Sequence, residues 1–288
     1  MIAVVGATGN TGRAVVKELK QLGHDPICIV RNADKAREVL GPQARTAVAE
    51  LTDRAALGEA LKAVTSVFVV TGHNPQMTEQ QNNVLDAAVA AGAQYLVRVS
   101  GARALVAPDS QSVIGRGHDA IEKKLQDSGV KWVILRPGYF MQNTLAQSAL
   151  VKNDGKLVQP FAADFPLAFV DVRDTGAVAA RILVDPAPHA GKTYEFTGAQ
   201  TTYGEFAEVF SKLLGRRIAY VAITPEQNEQ AMKARGMPDW LIAHVRTITG
   251  IALAGGLSTA KTGPIQDLVN RAPRTTQQFV EDHKAAFA

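Results

Sequence analysis

The sequence predicts an α/β protein: a doubly wound parallel sheet with a smaller C-terminal α/β lobe. Three observations carry that prediction. Strand-like and helix-like segments alternate with short links through the first half of the chain. The strands are near-continuous apolar runs, the pattern of parallel strands covered by helices on both faces. A turn with three glycines in seven residues, "GATGNTG" at Gly6 to Gly12, joins the first strand to the first helix. The main domain is expected over residues 1–150. A substrate lobe is expected over 151–288, with some of its segments returning to the main sheet. At 46% hydrophobic and 20% charged, the 288 residues can bury the core this needs.

Each element has its local reason. "IAVVG" is a strand, and "TGRAVVKELKQLG" is a helix with Val15, Val16, Leu19 and Leu22 on one face, ended by Gly23. "PICIV" is a second strand, "DKAREVL" a short helix and "ARTAVAE" a third strand. "DRAALGEALKAV" is a helix capped by Thr52 or Asp53. "SVFVVTG", "YLVRVSG" and "KWVILRP" are further strands, separated by the helices "MTEQQNNVLDAAVAAGA" and "GHDAIEKKLQDSG". Beyond about residue 143 the alternation loosens. There "FVDV" and "TYEFTG" read as strands, while "RDTGAVAARILVD" and "TYGEFAEVFSKLLGR" read as helices.

The glycine turn has backbone chemistry. Gly6 permits a tight turn, Gly9 lets a pyrophosphate approach the main chain, and Gly12 lets helix and strand pack closely. Unpaired N–H groups at the helix start receive the anion, and Thr8, Asn10 and Thr11 offer side-chain donors. The alternative is a glycine turn that binds nothing. In a βαβ unit the spacing GxxGxxG, without a Lys-Ser/Thr end, favours a dinucleotide over a nucleoside triphosphate. The sheet is therefore expected to be of Rossmann type.

An NAD site places an acid at the end of the second strand, about 20 residues on. Here that strand ends "CIVRNADK", with Arg31 in the acid's place and Lys35 one helical turn beyond. A guanidinium binds a 2′-phosphate that an acid would repel, so the expected cofactor is NADP(H). Arg31 pointing into solvent is the competing reading, and Arg13 is a further candidate phosphate contact. Later strand ends line the same crevice. They bring Thr71, Gly72 and His73, then Ser100 and Gly101, then Pro137, Gly138 and Tyr139. A plain loop role competes with ligand contact at each.

Several classes are disfavoured. The 31 Lys and Arg against 27 Asp and Glu leave a net charge of +4, spread along the chain. No basic stripe interleaves with aromatics, so nucleic acid is not an expected partner. No uncharged apolar run approaches the ~18 residues of a membrane span. The single cysteine, Cys28, permits no intramolecular disulfide and reads as a small buried hydrophobe. With the first residues already strand-like, no leader is expected and the location reads as cytoplasmic. Six scattered histidines with no HExxH or cysteine pair give no expected metal site. No G-x-S-x-G elbow is present.

The segments "VVGATGNTG", "VRNADKA", "VILRPGYFMQN", "FVDVRDTGAVAARIL", "TYEFTG…TYGEFAEVFSKLLGR" and "GPIQDLVNRAPRTTQQFVEDH" together resemble the NmrA-like family. These are atypical short-chain dehydrogenases/reductases, and the likeness runs nearly end to end. It looks most similar to the bacterial NAD(P)H:quinone oxidoreductases and triphenylmethane reductases of that family. The resemblance implies a Rossmann domain carrying NADP(H) and a smaller domain closing a cleft over the nicotinamide. It implies either a reductase of quinones and related acceptors or a protein that only senses NADP(H) and regulates a partner.

Typical short-chain dehydrogenases use Tyr-xxx-Lys, with Glu four residues after the lysine and Leu three after that. In "SVIGRGHDAIEKKL", setting Glu122 and Leu125 in that register puts His118 at the lysine and Ile114 at the tyrosine. Ile114 offers no acid. His118 then has three readings: a hydrogen-bond partner of the nicotinamide ribose, a proton donor with an ordinary pKa near ~6.5, or a helix-start histidine without catalytic weight. Ser100 and Tyr139 are the other catalytic candidates. Ser100 competes with a backbone-satisfying role, and Tyr139 with a pocket wall. Direct hydride transfer to a conjugated acceptor needs mainly proximity, and solvent can supply the proton.

The stretch "PEQNEQAMKARGMPDWLIAHVRTITGIAL" reads as two helices broken at Gly236. Met232, Met237, Trp240, Leu241, Ile242 and Val245 give an apolar face, either core packing or the wall of a pocket for a flat, apolar substrate. The expected oligomeric state is monomer or homodimer.

Overall fold

The computed structural model describes residues 1–288. Seven parallel strands form the main sheet: β1 (Ile2–Val5), β2 (Ile27–Val30), β3 (Thr46–Val48), β4 (Ser66–Val69), β5 (Tyr95–Val99), β6 (Lys131–Pro137) and β10 (Lys192–Phe196). The order is β3-β2-β1-β4-β5-β6-β10, so the winding reverses between β1 and β4. Ligands of doubly wound sheets bind at this switch point, beyond the carboxyl ends of the strands.

Helices cover both faces of the sheet, which is why its inner strands are mostly apolar. On one face Val4, Phe68, Val97 and Val133 pack against α1 (Asn10–Gln21) and α7 (Val172–Val184). On the other, Ala3, Val5, Val67 and Leu96 pack against α3 (Arg54–Ala60), α4 (Met77–Ala90) and α5 (Val113–Asp127). The small α2 (Ala33–Leu40) follows β2. Its N-cap is Asn32, whose side chain accepts from the Lys35 N–H at 2.9 Å. Asp53 caps α3 in the same way, so of the two candidate caps it is Asp53 that serves.

The second body holds β7 (Tyr139–Phe140), β8 (Lys156–Gln159), β9 (Leu167–Val170), β11 (Gln200–Thr201) and β12 (Ala219–Ala222). They form two small sheets, β11-β9-β7 and β12-β8. An aromatic core of Phe161, Phe169, Tyr203, Phe206, Phe210, Phe279 and Phe287 joins them to α6 (Ser148–Asp154), α8 (Tyr203–Leu214), α12 (Thr276–Asp282) and α13 (Lys284–Phe287). Beside these lie α9 (Pro225–Ala234), α10 (Asp239–Leu253) and α11 (Gly263–Val269). The chain crosses between the bodies more than once. The strand β10 and the helices α7 and α11 follow residue 150 yet pack on the main sheet. A left-handed Gly236 (φ +68°) separates α9 from α10. No helix is long and apolar enough to cross a membrane.

Candidate active site

The turn after β1 uses its glycines for two different purposes. Gly6 has φ +78°, and a Cβ there would stand 1.9 Å from the Val70 carbonyl oxygen. A Cβ on Gly12 would stand 2.1 Å from the Gly6 carbonyl oxygen. The protein's own backbone demands these two. Gly9 is different: its φ is −78°, and the nearest atom to a Cβ would be 3.4 Å away. It is exposed and opens onto the groove, so the bare approach it offers serves what enters from outside. The first bond into the helix runs from the Arg13 N–H to the Gly9 carbonyl at 2.9 Å. It leaves the N–H groups of Asn10, Thr11 and Gly12 facing outward with the dipole behind them.

The groove encloses about 630 Å³ and is walled by Gly6, Thr8 to Gly12, Arg31, Glu50 to Thr52, and Thr71 to Asn74. Arg31 is exposed there, and its side chain makes no hydrogen bond within the protein. Arg13 is tied to the Asn10 side chain at 2.7 Å. Lys35 is not brought to the groove wall. It lies past the Asn32 cap, in the first turn of α2, and is not among the residues lining the groove.

Thr11, Val70 to His73, Phe140, Gln142 and Asn143 also line a second cavity of about 660 Å³, so the two spaces adjoin and share a wall. Ser100, Gly101, His118, Pro137, Gly138 and Tyr139 all border this second cavity. Leu241 and Val245 of the expected apolar face do so as well, alongside Ile248, Ile251 and Leu257. Met232, Met237, Trp240 and Ile242 do not. Trp240 packs against Met77, Ile114 and Ile121, because the phase of α10 turns it onto α5. From α10 the cavity wall takes the 241/245/248 stripe, so the expected face is split between cavity lining and packing.

Behind the cavity lies a buried polar network that the strand reading of "YLVRVSG" passed over. Arg98 stands inside the central strand β5 with 1% of its surface exposed. Its Nε donates to Gln81 Oε1 at 2.7 Å, and Gln81 donates on to Thr71 Oγ1 at 2.8 Å. Its Nη2 donates to His118 Nδ1 at 2.6 Å, and its Nη1 lies 4.0 Å from Glu122. Glu122 also accepts from the Ser100 hydroxyl at 2.5 Å and from both arms of the Arg136 guanidinium. Outside this, Glu195 bridges Arg136 and Lys261. Burial pulls Arg98 down to about 9 and Glu122 opposes the shift, so the guanidinium is still charged at neutral pH.

Three of the six histidines converge at this cavity. His73 lies edge-on to His118 with ring centroids 5.7 Å apart, and edge-on to His244 at 4.8 Å. The Ser112 hydroxyl, which caps α5, meets His244 Nδ1 at 2.8 Å and so links α5 to α10. Burial lowers all three pKa values. It takes His244 to about 4 and, with Arg98 adding repulsion, His118 well below the ordinary imidazole range. The three rings do not form a metal-binding group. Tyr139 is half-buried, and desolvation pushes its hydroxyl up, away from a ready proton donor. Ile114 is buried in the small cluster with Met77 and Ile121. Cys28 is buried with its thiol pushed up to about 11.

Residues 1–279 match the NmrA-like family. The chain belongs to the NmrA-like family. Among its relatives, the NAD(P)H azoreductase of Xenophilus azovorans is 36% identical over 292 positions, covering 100% of this chain and 99% of that protein. Quinone oxidoreductase 2 of Escherichia coli K12 is 31% identical, covering 89% of this chain and 90% of its own. The crystal structure of the E. coli NADPH-dependent quinone oxidoreductase complexed with NADPH superposes with a TM-score of 0.85. It is 29% identical and covers 98% of this chain and 99% of that one. In this NmrA-like chain, Arg98, Gln81, Glu122, Arg136 and His244 are the site residues that spacing did not single out. A charged residue inside an otherwise apolar central strand was the one available signal, because burying a lone guanidinium is too costly to occur without partners.

Proposed function

We propose that this NmrA-like chain is an NADPH-dependent reductase that delivers a hydride directly to a quinone or similar conjugated small molecule. One observation carries the reading: an anion groove at the glycine turn adjoins, across a shared wall, an apolar-walled cavity backed by His118 and Ser100. The named reductase relatives, matched over nearly the whole chain, support the coarser statement that it is an NAD(P)H-dependent oxidoreductase.

The residues present fit the cofactor. Gly9 leaves the main chain bare, the first N–H groups of α1 would hold the pyrophosphate, and the unpartnered Arg31 would hold the 2′-phosphate. Thr8, Asn10 and Thr11 would add hydroxyl and amide contacts. The edge formed by Thr71 to His73 and Pro137 to Tyr139 would border the nicotinamide end. When bound, the reduced cofactor supplies a hydride. The chain supplies alignment and a dry, apolar wall from Leu241, Val245 and Ile248. Ser100 spends its proton on Glu122, which leaves its oxygen free only to accept. With Ile114 at the position of the dehydrogenase tyrosine and His118 at that of the lysine, the reading requires no side-chain acid, and solvent completes the protonation.

Loss of NADPH absorbance, measured with a panel of quinones, azo dyes and carbonyl compounds, tests this. Turnover is expected with quinones and azo dyes, and little with simple ketones. Tight NADP(H) binding without turnover of any acceptor would instead favour a redox sensor acting through a partner protein.

A further inference from the structure

The hydrogen bonds at the acceptor cavity fix where the protons are. A guanidinium can only donate, so His118 Nδ1 accepts from Arg98. Ser112 already accepts from the N–H groups of Ile114 and Gly115, so its one proton goes to His244 Nδ1. Both rings therefore carry their proton on Nε2 and are neutral. Burial and the Arg98 charge, with the His118 pKa well below the ordinary range, agree with this. The Nε2 of His118 is buried and has no partner in the protein, in a ring that forms part of the cavity wall. An N–H donor stranded in this way costs free energy that an acceptor atom of a ligand recovers.

The surroundings of that donor also have a sign. The charged groups closest to it are Arg98, Arg136 and Glu122, and its other titratable neighbours are the neutral His73 and His244. One buried and one half-buried guanidinium, Arg98 and Arg136, face one buried carboxylate, which leaves one positive charge in excess. The outer pair, Glu195 and Lys261, is more exposed and cancels itself. Low dielectric makes the inner excess felt in the cavity.

We propose that His118 donates its Nε2–H to the acceptor atom that becomes negative, and that the buried cationic excess behind it selects uncharged conjugated acceptors, quinones and azo compounds, over cationic dyes. The inference rests on the reductase reading above. A hydride brings one hydrogen and two electrons, so a neutral acceptor leaves the step as an anion on oxygen or nitrogen. The cofactor is oxidised by the same two electrons, and one solvent proton then neutralises the product. His118 keeps its own proton throughout. Arg98 is a positioning residue: it holds Nδ1 as an acceptor and so keeps the proton on Nε2.

The test uses the full chain and four readouts. The first is kcat/KM for a neutral quinone, a neutral azo dye and a cationic triarylmethane dye. Wild type is expected to favour the neutral acceptors by at least about tenfold. The second compares His118→Leu with His118→Gln, which keeps an N–H. His118→Leu is expected to lose about 100-fold in kcat/KM for the quinone, the scale of one lost oxyanion donor, and His118→Gln to recover most of it. The third is NADPH affinity by fluorescence, expected to stay within about twofold in both variants and so to report intact folding. The fourth needs no turnover. With NADP⁺ bound, 4-nitrophenol in the cavity should ionise about one pH unit lower in wild type than in His118→Leu, read from the phenolate absorbance. Equal turnover of the cationic dye overturns the inference. So does a His118→Leu variant that loses NADPH affinity rather than quinone kcat/KM, or a phenol titration unchanged by that variant. Absence of turnover with every acceptor overturns the reductase reading, and with it the acceptor role of His118. The phenol titration then decides whether the cavity still favours an anion.

Discussion

The nucleotide groove and the acceptor cavity share a wall but are built on opposite plans. The groove is built mainly on backbone: a glycine turn, helix-start N–H groups and strand ends from the first 80 residues, closed by Phe140, Gln142, Asn143 and Val172. The acceptor cavity is made of side chains from distant segments. Ser112 and His244, which meet at 2.8 Å, are 132 positions apart in the chain. A backbone site tolerates side-chain change but not change of shape. A side-chain site depends on a buried network in which every member needs its partner.

Substitutions at two glycines of one turn break this comparison most sharply. Gly12→Val puts a branched side chain where even a Cβ would stand 2.1 Å from a carbonyl oxygen. We expect a loss above about 4 kcal/mol, seen as failure to obtain folded protein. Gly9→Ala meets nothing closer than 3.4 Å, so it should leave the melting temperature within about 2 °C while weakening NADPH binding at least about tenfold. If both variants lost stability equally, Gly9 would be serving the fold and not the ligand.

On the cavity side the matching substitution is Arg98→Met. It keeps the bulk of the stem but removes the donors to Gln81 and His118, and leaves Glu122 with Arg136 and the Ser100 hydroxyl. Leaving the buried Gln81 Oε1 and His118 Nδ1 acceptors unpartnered costs about 1–3 kcal/mol each. Urea unfolding should show that loss, and a change below about 1 kcal/mol would mean that the network carries little of the stability.

The difference in construction also decides what could be read from the sequence. The turn, the Arg31 position and the apolar strands are contiguous patterns, and elementary sterics and periodicity interpret them. His118 was reachable only through register with Glu122 and Leu125. Its protonation state was not, because that depends on Arg98, twenty positions away on another element. Of the apolar face expected at Met232, Met237, Trp240, Leu241, Ile242 and Val245, two residues, Leu241 and Val245, line the cavity and the other four do not. Apolar periodicity marks which residues face inward, and the docking of α10 on α5 decides which of those face a cavity. The single run "YLVRV" held the missing information in one letter: an arginine on a strand buried on both faces implies an acidic or polar partner nearby.

Acid sharpens the comparison further, because the cavity side holds the buried histidines. Burial holds His244 at about 4 against an ordinary 6.5, with His73 adding to the effect. Above pH 6.5 both folded and unfolded forms are neutral and nothing is lost. As pH falls below 6.5 the unfolded chain takes up protons that the folded chain refuses, so stability declines until the folded group titrates near 4. For His244 alone this amounts to about 2 kcal/mol by pH 5, and His118 and His73 act in the same direction. Urea titrations at pH 7.5, 6 and 5 should show the decline, and His244→Gln should make it shallower, leaving the share of His118 and His73. A stability equal at pH 7.5 and 5 would contradict the buried, neutral state of these rings.

The smallest expected effect lies in the groove, at Arg31. The side chain is exposed, has no partner in the protein and stands at the end of β2. Folding stability should therefore be indifferent to Arg31→Asp, within about 0.5 kcal/mol. Cofactor choice should not be. A guanidinium on a 2′-phosphate is worth a charge-assisted hydrogen bond, whereas a carboxylate repels the phosphate and accepts from the bare 2′-hydroxyl. The ratio of NADPH to NADH affinity should fall at least about tenfold, about 1.4 kcal/mol, by fluorescence titration at fixed ionic strength. Because Arg31 is exposed, the effect should shrink as salt is raised, which a buried contact would not do. An unchanged ratio would point 2′-phosphate recognition to Arg13, whose guanidinium is held by the groove-lining Asn10.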